Sequence, residues 1–276
     1  MDFTSALYLG ARALNFPAGL VLTSGRPAVL GEPPGHRAVA REVARRQGLE
    51  AGLLAPSTLH LFWDVFRLPP RSAVVFMDQA MYPVGQWGSV RATLRGLPVV
   101  PFDAADLPGL ARRLHSYRQQ HKTPWLVTDG WNLTAGRPAP LAQYLALLSP
   151  DPEAVLLIDD TQAFGVLGAA PSARRLLGRG GGGTLPYLGL RSPQILTITS
   201  LAKGLGVPVA VLAGSAARLA GFQRRSDVRM HTSPVSNLHA WAAGEALRHD
   251  ARHGDAARAR LGQRIGQFRQ IGRAHV

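Results

Sequence analysis

Cysteine is absent from the 276 residues. That absence excludes a disulfide framework, thiolate zinc sites and cysteine nucleophiles together, and it suits a reducing compartment, so a cytoplasmic location is expected. Lysine is almost missing as well. Of 31 Lys and Arg residues only Lys122 and Lys203 are lysine, leaving 29 arginines. Acids are scarce too, 17 against those 31, for a formal net charge of +14. No apolar run reaches the roughly 18 residues needed to cross a bilayer. The start, Met1-Asp2-Phe3-Thr4-Ser5, has no basic stretch ahead of an apolar one, so neither a membrane span nor a secretory signal is expected.

What is present belongs to the globular class. Apolar residues make up 46% and charged residues 17%, well away from disorder, and the length supports one large domain or one and a fraction. The arginines are scattered rather than interleaved with aromatics in one stripe, so nucleic acid is not an expected partner. A positive field still favours anionic ligands.

Apolar, extended segments alternate with helix-like ones, the pattern of an α/β fold with a mostly parallel sheet flanked by helices. Strands are predicted at 72–77, 98–102, 125–128, 154–158, 195–199 and 208–212. Helices are predicted at 36–46, 106–120 and 138–148, with a long one from 236 to about 270. Asp78, Asp129 and Asp159 each close a strand, and ligands in such sheets gather at the carboxyl ends of strands. The run Gly178-Arg179-Gly180-Gly181-Gly182-Gly183 opens no clear helix and lacks the P-loop lysine and hydroxyl. It reads as a flexible surface loop rather than a phosphate cradle.

The chemistry concentrates in two places. Asp159 ends the apolar run Leu156-Leu157-Ile158 and is followed by Asp160-Thr161-Gln162-Ala163-Phe164-Gly165, while Lys203 stands in Ser200-Leu201-Ala202-Lys203-Gly204-Leu205-Gly206. A buried acid at a strand end and a lone amine among glycines are what an enzyme needs to hold pyridoxal 5'-phosphate as a Schiff base. This composition would have supplied arginine for plain charge. Asp160 is read as a partner of the backbone.

Taken in order from about Gly35 to Leu247, these segments resemble the large domain of the fold type I, aspartate aminotransferase-like, pyridoxal-phosphate enzymes. That is the aminotransferase class I and II group, and the likeness is to the α-oxoamine synthases. The resemblance implies that Asp159 contacts the pyridine nitrogen, that Lys203 forms the Schiff base and moves a proton at the substrate α-carbon, and that no metal takes part. It places Ser57, Thr58 and Ser200 at the phosphate, although Ala55-Pro56-Ser57-Thr58 departs from the family's Ser-Gly-aromatic turn and Ser57 can equally be an ordinary N-cap. Tyr82 falls where the synthases stack a histidine on the ring, or is a core tyrosine. Asp129 lines the cofactor wall or merely closes its strand. Gln162 replaces a titratable histidine three residues after the acid; glutamine can hydrogen-bond the phenolic oxygen but cannot titrate near neutral pH. Thr232 and Ser233 match a pair reaching the phosphate of the neighbouring subunit, or cap a helix.

The implied organisation is an N-terminal segment and helix (1–50), a cofactor-binding large domain (51–247) and the start of a truncated C-terminal region (248–276), the small domain being absent. The implied substrate is an amino acid, with an acyl thioester or a 2-oxo acid as second reactant, in a homodimer with shared sites. The alternative is a non-catalytic homologue that keeps the fold for dimerisation or regulation.

Overall fold

The computed structural model describes residues 8–10 and 15–274. Its centre is a seven-stranded sheet made of β1 (Ala51–Ala55), β2 (Ala73–Asp78), β3 (Val99–Phe102), β4 (Thr123–Asp129), β7 (Val155–Asp159), β8 (Ile195–Ser200) and β9 (Ala210–Gly214). A short ribbon pairs β5 (Trp131–Asn132) with β6 (Arg137–Pro138). The sheet order is β1-β9-β8-β7-β4-β2-β3. Strands β8, β7, β4, β2 and β3 run parallel, and β9 is reversed against both of its neighbours. Every residue of β2 and β7 is buried, as expected for parallel strands covered on both faces.

Side-chain alternation sorts the core into two layers. Val75, Met77, Trp125, Val127, Leu157 and Ile198 face α2 (Thr58–Val65), α3 (Pro83–Leu94) and α7 (Ala216–Arg225). Val74, Phe76, Leu126, Leu156 and Ile158 face the opposite way, against α4 (Leu107–Gln119) and α5 (Leu141–Leu148). On that second face, nearer β1 and β9, lie α1 (Pro34–Gln47) and α9 (Asn237–Ala274). Two small helices complete the chain order, α6 (Thr184–Leu188) and α8 (Asp227–His231). The result is a three-layer α/β/α body. No helix among the described residues is long and apolar enough to cross a membrane.

Local chemistry explains the boundaries. Asp106 caps α4 by accepting from the Gly109 N–H at 2.8 Å, and Gly48 ends α1 in the left-handed region at φ 73°. Two elements start two or three residues later than predicted. The helix expected from Pro138 starts at Leu141, because Arg137 and Pro138 pair with the ribbon and the Ala139 N–H bonds the Gly130 carbonyl at 3.0 Å. The strand expected from Pro208 starts at Ala210, since proline brings no donor to a ladder.

The glycine run corrects its prediction. Gly181, Gly182 and Gly183 are buried. A Cβ on Gly182 would lie 2.2 Å from the Arg46 carbonyl oxygen, and one on Gly183 would lie 1.9 Å from Asp160 Oδ2. The glycines are there for close approach, with Gly183 also at φ 92°.

Helix α9 extends about 57 Å for its 38 residues. A buried charge cluster pins it: Asp250 accepts from Arg46 Nη1 at 2.6 Å and from Arg258 Nη1 at 2.8 Å, and Arg258 also donates to the Gly165 carbonyl at 2.8 Å.

Candidate active site

All parallel strands present their carboxyl ends on one rim, and β1, reversed twice through β9, points its carboxyl end to the same side. Asp129 and Asp159 are register partners across β4 and β7, so their side chains share a face. The turn after β8 carries Lys203, and α2 begins directly after β1.

Asp159 is 8% exposed. Its Oδ1 accepts from the Thr161 N–H at 2.9 Å, and the Thr161 hydroxyl also reaches it. Burial pushes the Asp159 carboxyl up, opposed by Thr161 and by the Lys203 charge. Asp129 accepts from the Tyr82 N–H at 3.0 Å through Oδ2, which ties the start of α3 to the end of β4. Its pKa is pushed up to about 7, first by burial and then by the neighbouring Asp159.

Lys203 is half-buried. Its Nζ lies 5.5 Å from the centroid of the Tyr82 ring, within cation–π range. Burial lowers its pKa, while Asp159 and Asp129 raise it again. The amine thus senses both acids, yet it forms an ion pair with neither. An amine, two carboxylates and an aromatic face thus converge on one rim of the sheet.

Ser200 ends β8, and its Oγ accepts from the Ala202 N–H at 3.2 Å, shaping the turn toward Lys203. Ser57 caps α2, accepting from the His60 N–H at 3.4 Å, and its hydroxyl meets His60 Nδ1 at 2.7 Å. The first N–H groups and Thr58 of α2 open on the same rim, a position that suits an anion.

The remaining predicted residues lie at the margin. Gln162 accepts from the Tyr8 hydroxyl at 2.7 Å and borders a half-open cavity of about 350 Å³ walled by Trp131, Val166, Leu167, Tyr187 and Leu261. Thr232 donates to the Val228 carbonyl at 2.6 Å. With Ser233 it borders a small cavity beside Pro56 and His60, behind the Ser57 turn rather than beside Asp159. Asp160 faces away from the rim and accepts from the Thr184 N–H, its predicted backbone role.

Sequence reasoning did not single out Thr161 and His60. Thr161 Oγ1 accepts from the Ser200 N–H at 3.0 Å and so joins the two strand ends that carry the acid and the amine. Its place two residues after a strand-ending aspartate was a usable signal for a side-chain turn, as was His60 three residues after a serine N-cap.

No family model matches the sequence. The chain is 31% identical over 252 residues to an 8-amino-7-oxononanoate synthase of Acidithiobacillus ferrooxidans, covering 91% of this chain and 59% of the relative. It is 29% identical over 249 residues to a protein of Thermosynechococcus vestitus described as a putative synthase of the same kind, covering 89% and 59% respectively. The chain therefore spans about three fifths of the length of these curated relatives. Among solved structures, the 8-amino-7-oxononanoate synthase of Francisella tularensis superposes with a TM-score of 0.70 at 18% identity, over 99% of this chain and 76% of that one. The serine palmitoyltransferase of Sphingomonas wittichii superposes with a TM-score of 0.68 at 16% identity, over 83% and 54%. The structural likenesses establish the fold and the sequence likenesses point the same way: the chain has the α/β fold of the fold type I pyridoxal-phosphate enzymes and is similar in sequence to 8-amino-7-oxononanoate synthases, which are α-oxoamine synthases.

Proposed function

We propose that this chain binds pyridoxal 5'-phosphate through Lys203 and belongs to a transferase acting on an amino acid. The observation that carries the reading is the convergence on one rim of an amine, an aromatic ring and two acids: Lys203 stands 5.5 Å from the Tyr82 ring centroid, and the Asp159 and Asp129 charges act on it. The donor set suits the cofactor. Lys203 would hold it covalently, Asp159 would take its pyridine nitrogen, Tyr82 would cover one ring face, and Ser57, Thr58 and Ser200 with the α2 N–H groups would receive its phosphate. When bound, the cofactor supplies an electron sink for negative charge at the amino acid's α-carbon.

The chain's own groups do the rest. Burial alone favours a neutral Asp159, and a protonated pyridine nitrogen beside it would supply the cation that keeps it ionised. Desolvation lowers the Lys203 amine, which favours a neutral Nζ able to take a proton from the substrate α-carbon and return it. Thr161 holds Asp159 in place, and Asp129 anchors the backbone of Tyr82. Gln162 can donate a hydrogen bond but cannot exchange a proton, so the second reactant, an acyl thioester or a 2-oxo acid, would rely on Lys203 for proton transfer.

The reading includes a homodimer. Leu59 and Trp63 on α2 and Trp87, Val90 and Leu94 on α3 form an exposed apolar face continuous with Tyr82 and Ser57, which head those helices. A second copy laid on this face would bury it and close the open side of the site. With no cysteine to oxidise, the protein suits the cytoplasm.

A second reading, a cofactor-holding but non-catalytic homologue, is favoured by Gln162, whose carbonyl is already engaged by Tyr8.

The test begins with protein purified in the presence of pyridoxal phosphate, whose visible spectrum is recorded before borohydride reduction and peptide mapping. Label on Lys203, and its loss in Lys203→Ala, is the expected result. Label confined to Lys122, or no visible band, overturns the proposal. Spectral change with a panel of amino acids separates turnover from mere holding.

A further inference from the structure

Behind the rim, on the face opposite Asp159 and Asp129, a single amide spans both strands that deliver the site. Gln47, the last residue of α1, is 1% exposed. Its Nε2 donates to Thr199 Oγ1 at 3.0 Å and to Asp160 Oδ2 at 3.3 Å, and its Oε1 accepts from Thr197 Oγ1 at 3.0 Å. Thr197 and Thr199 belong to β8, which runs into Ser200 and the Lys203 turn; Asp160 directly follows Asp159 at the end of β7. Thr197, Thr199 and Asp160 are all fully buried. Asp160 is held further by the N–H and hydroxyl of Thr184, and Gly130 and Gly183 leave room for its carboxylate where any Cβ would collide.

We propose that Gln47 is a positioning residue for the proposed reaction, setting the separation between the Asp159 carboxylate and the Lys203 amine by clamping the ends of β7 and β8 from behind. Thr161 joins the same two strand ends from the front through its bond from the Ser200 N–H. The two ties differ in kind. Thr161 is local to the acid's own turn, whereas Gln47 comes from a helix more than a hundred residues earlier and uses its whole amide on this task. An apolar residue at 47 would leave Asp160, Thr197 and Thr199 each short of a buried partner. The strand ends are then free to part, which changes both the burial that lowers the Lys203 pKa and its separation from the Asp159 and Asp129 charges that raise it.

The functional half of this inference rests on the cofactor reading above, but its test does not. In protein without added cofactor, the pH dependence of amine labelling is followed residue by residue by mass spectrometry. Having only Lys122 and Lys203 makes this clean, with Lys122 as the internal reference. Gln47→Met keeps the volume and removes the hydrogen bonds. The expected result is a displaced labelling midpoint for Lys203, because its burial and its distance from the two acids both change, with Lys122 unmoved. Leu148→Ala, a cavity variant at the buried last residue of α5, lowers stability without touching the clamp and leaves the Lys203 midpoint where it was. If Gln47→Met does not fold, Gln47→Glu places a second acid beside Asp160, and adding Asp160→Asn restores one acid and one amide. The double variant is expected to recover the wild-type Lys203 midpoint, and the single variant is not. An unmoved Lys203 midpoint in Gln47→Met, an equal shift in Leu148→Ala, or a double variant no closer to wild type than Gln47→Glu overturns the proposal. Failure of cofactor labelling with these shifts intact would sink the functional reading alone.

Discussion

Asp129→Asn is expected to stabilise the fold at alkaline pH, and to do so in a pH-dependent way. Asp129 is 8% exposed, and burial with the neighbouring Asp159 carries its pKa from 3.8 to about 7. The sign follows from proton counting. Between pH 4 and 7 the folded chain holds a proton at Asp129 that the unfolded chain has released, so stability from this group falls as pH rises through that window. Above pH 7 the folded carboxylate is ionised, and the full cost is present. A displacement from 3.8 to about 7 corresponds to about 4 kcal/mol at pH 8, narrowing to about 2 kcal/mol at pH 5. Asparagine keeps a side-chain oxygen for the Tyr82 N–H and has no charge to bury, so it should recover that difference. Urea unfolding of both proteins at pH 8 and pH 5 reads it directly, since the m-value should not change. Equal stability of the two proteins at pH 8, or a difference that does not narrow toward pH 5, would refute the electrostatic account of the rim. An acid kept at such a cost on a strand end fits a role in binding or catalysis rather than in folding.

Asp159→Asn should leave cofactor on Lys203 yet slow proton loss at the substrate α-carbon; a fully active variant would remove Asp159 from its proposed role. Asp250→Ala leaves the Arg46 and Arg258 guanidinium groups buried without their shared acid, and is expected to cost about 3–5 kcal/mol, a fall in Tm of roughly 10 °C for a chain of this size; a change of under 1 kcal/mol in urea would show that the cluster does not pin α9. Trp87→Glu, on the exposed face of α3, should yield a monomer by light scattering with the fold intact by circular dichroism, whereas a variant of unchanged mass would put the subunit contact elsewhere.

Much of the fold was legible because its signals were local. The runs ending in Asp78, Asp129 and Asp159 are buried on both faces, so they read as continuous apolar stretches with one acid at the end. Asp106 announced α4, and the two lysines stood out against 29 arginines. The errors came where packing overrode local pattern. A glycine run with no side chains to read turned out to be buried, because Arg46 and Asp160, remote in sequence, leave no room for a Cβ at Gly182 and Gly183.

Other features had no local signal. β1, Ala51-Gly52-Leu53-Leu54-Ala55, is short and carries glycine; it becomes a strand because the reversed β9 offers it an edge. Gln47 looked like one more polar residue near a helix end, and its amide acquires meaning only when α1 packs behind β7 and β8.

By itself the sequence determined the alternating apolar segments, the acids that end them and the identity of the one amine suited to chemistry, since each depends on neighbours a few positions away. Only the tertiary structure decided that Lys203, Tyr82, Asp129 and Asp159 meet on one rim while Gln162 turns toward Tyr8 and Gln47 supports the pair from behind. Those contacts join residues scores to more than a hundred positions apart, and their geometry exists only once the strand order and the reversal at β9 are set.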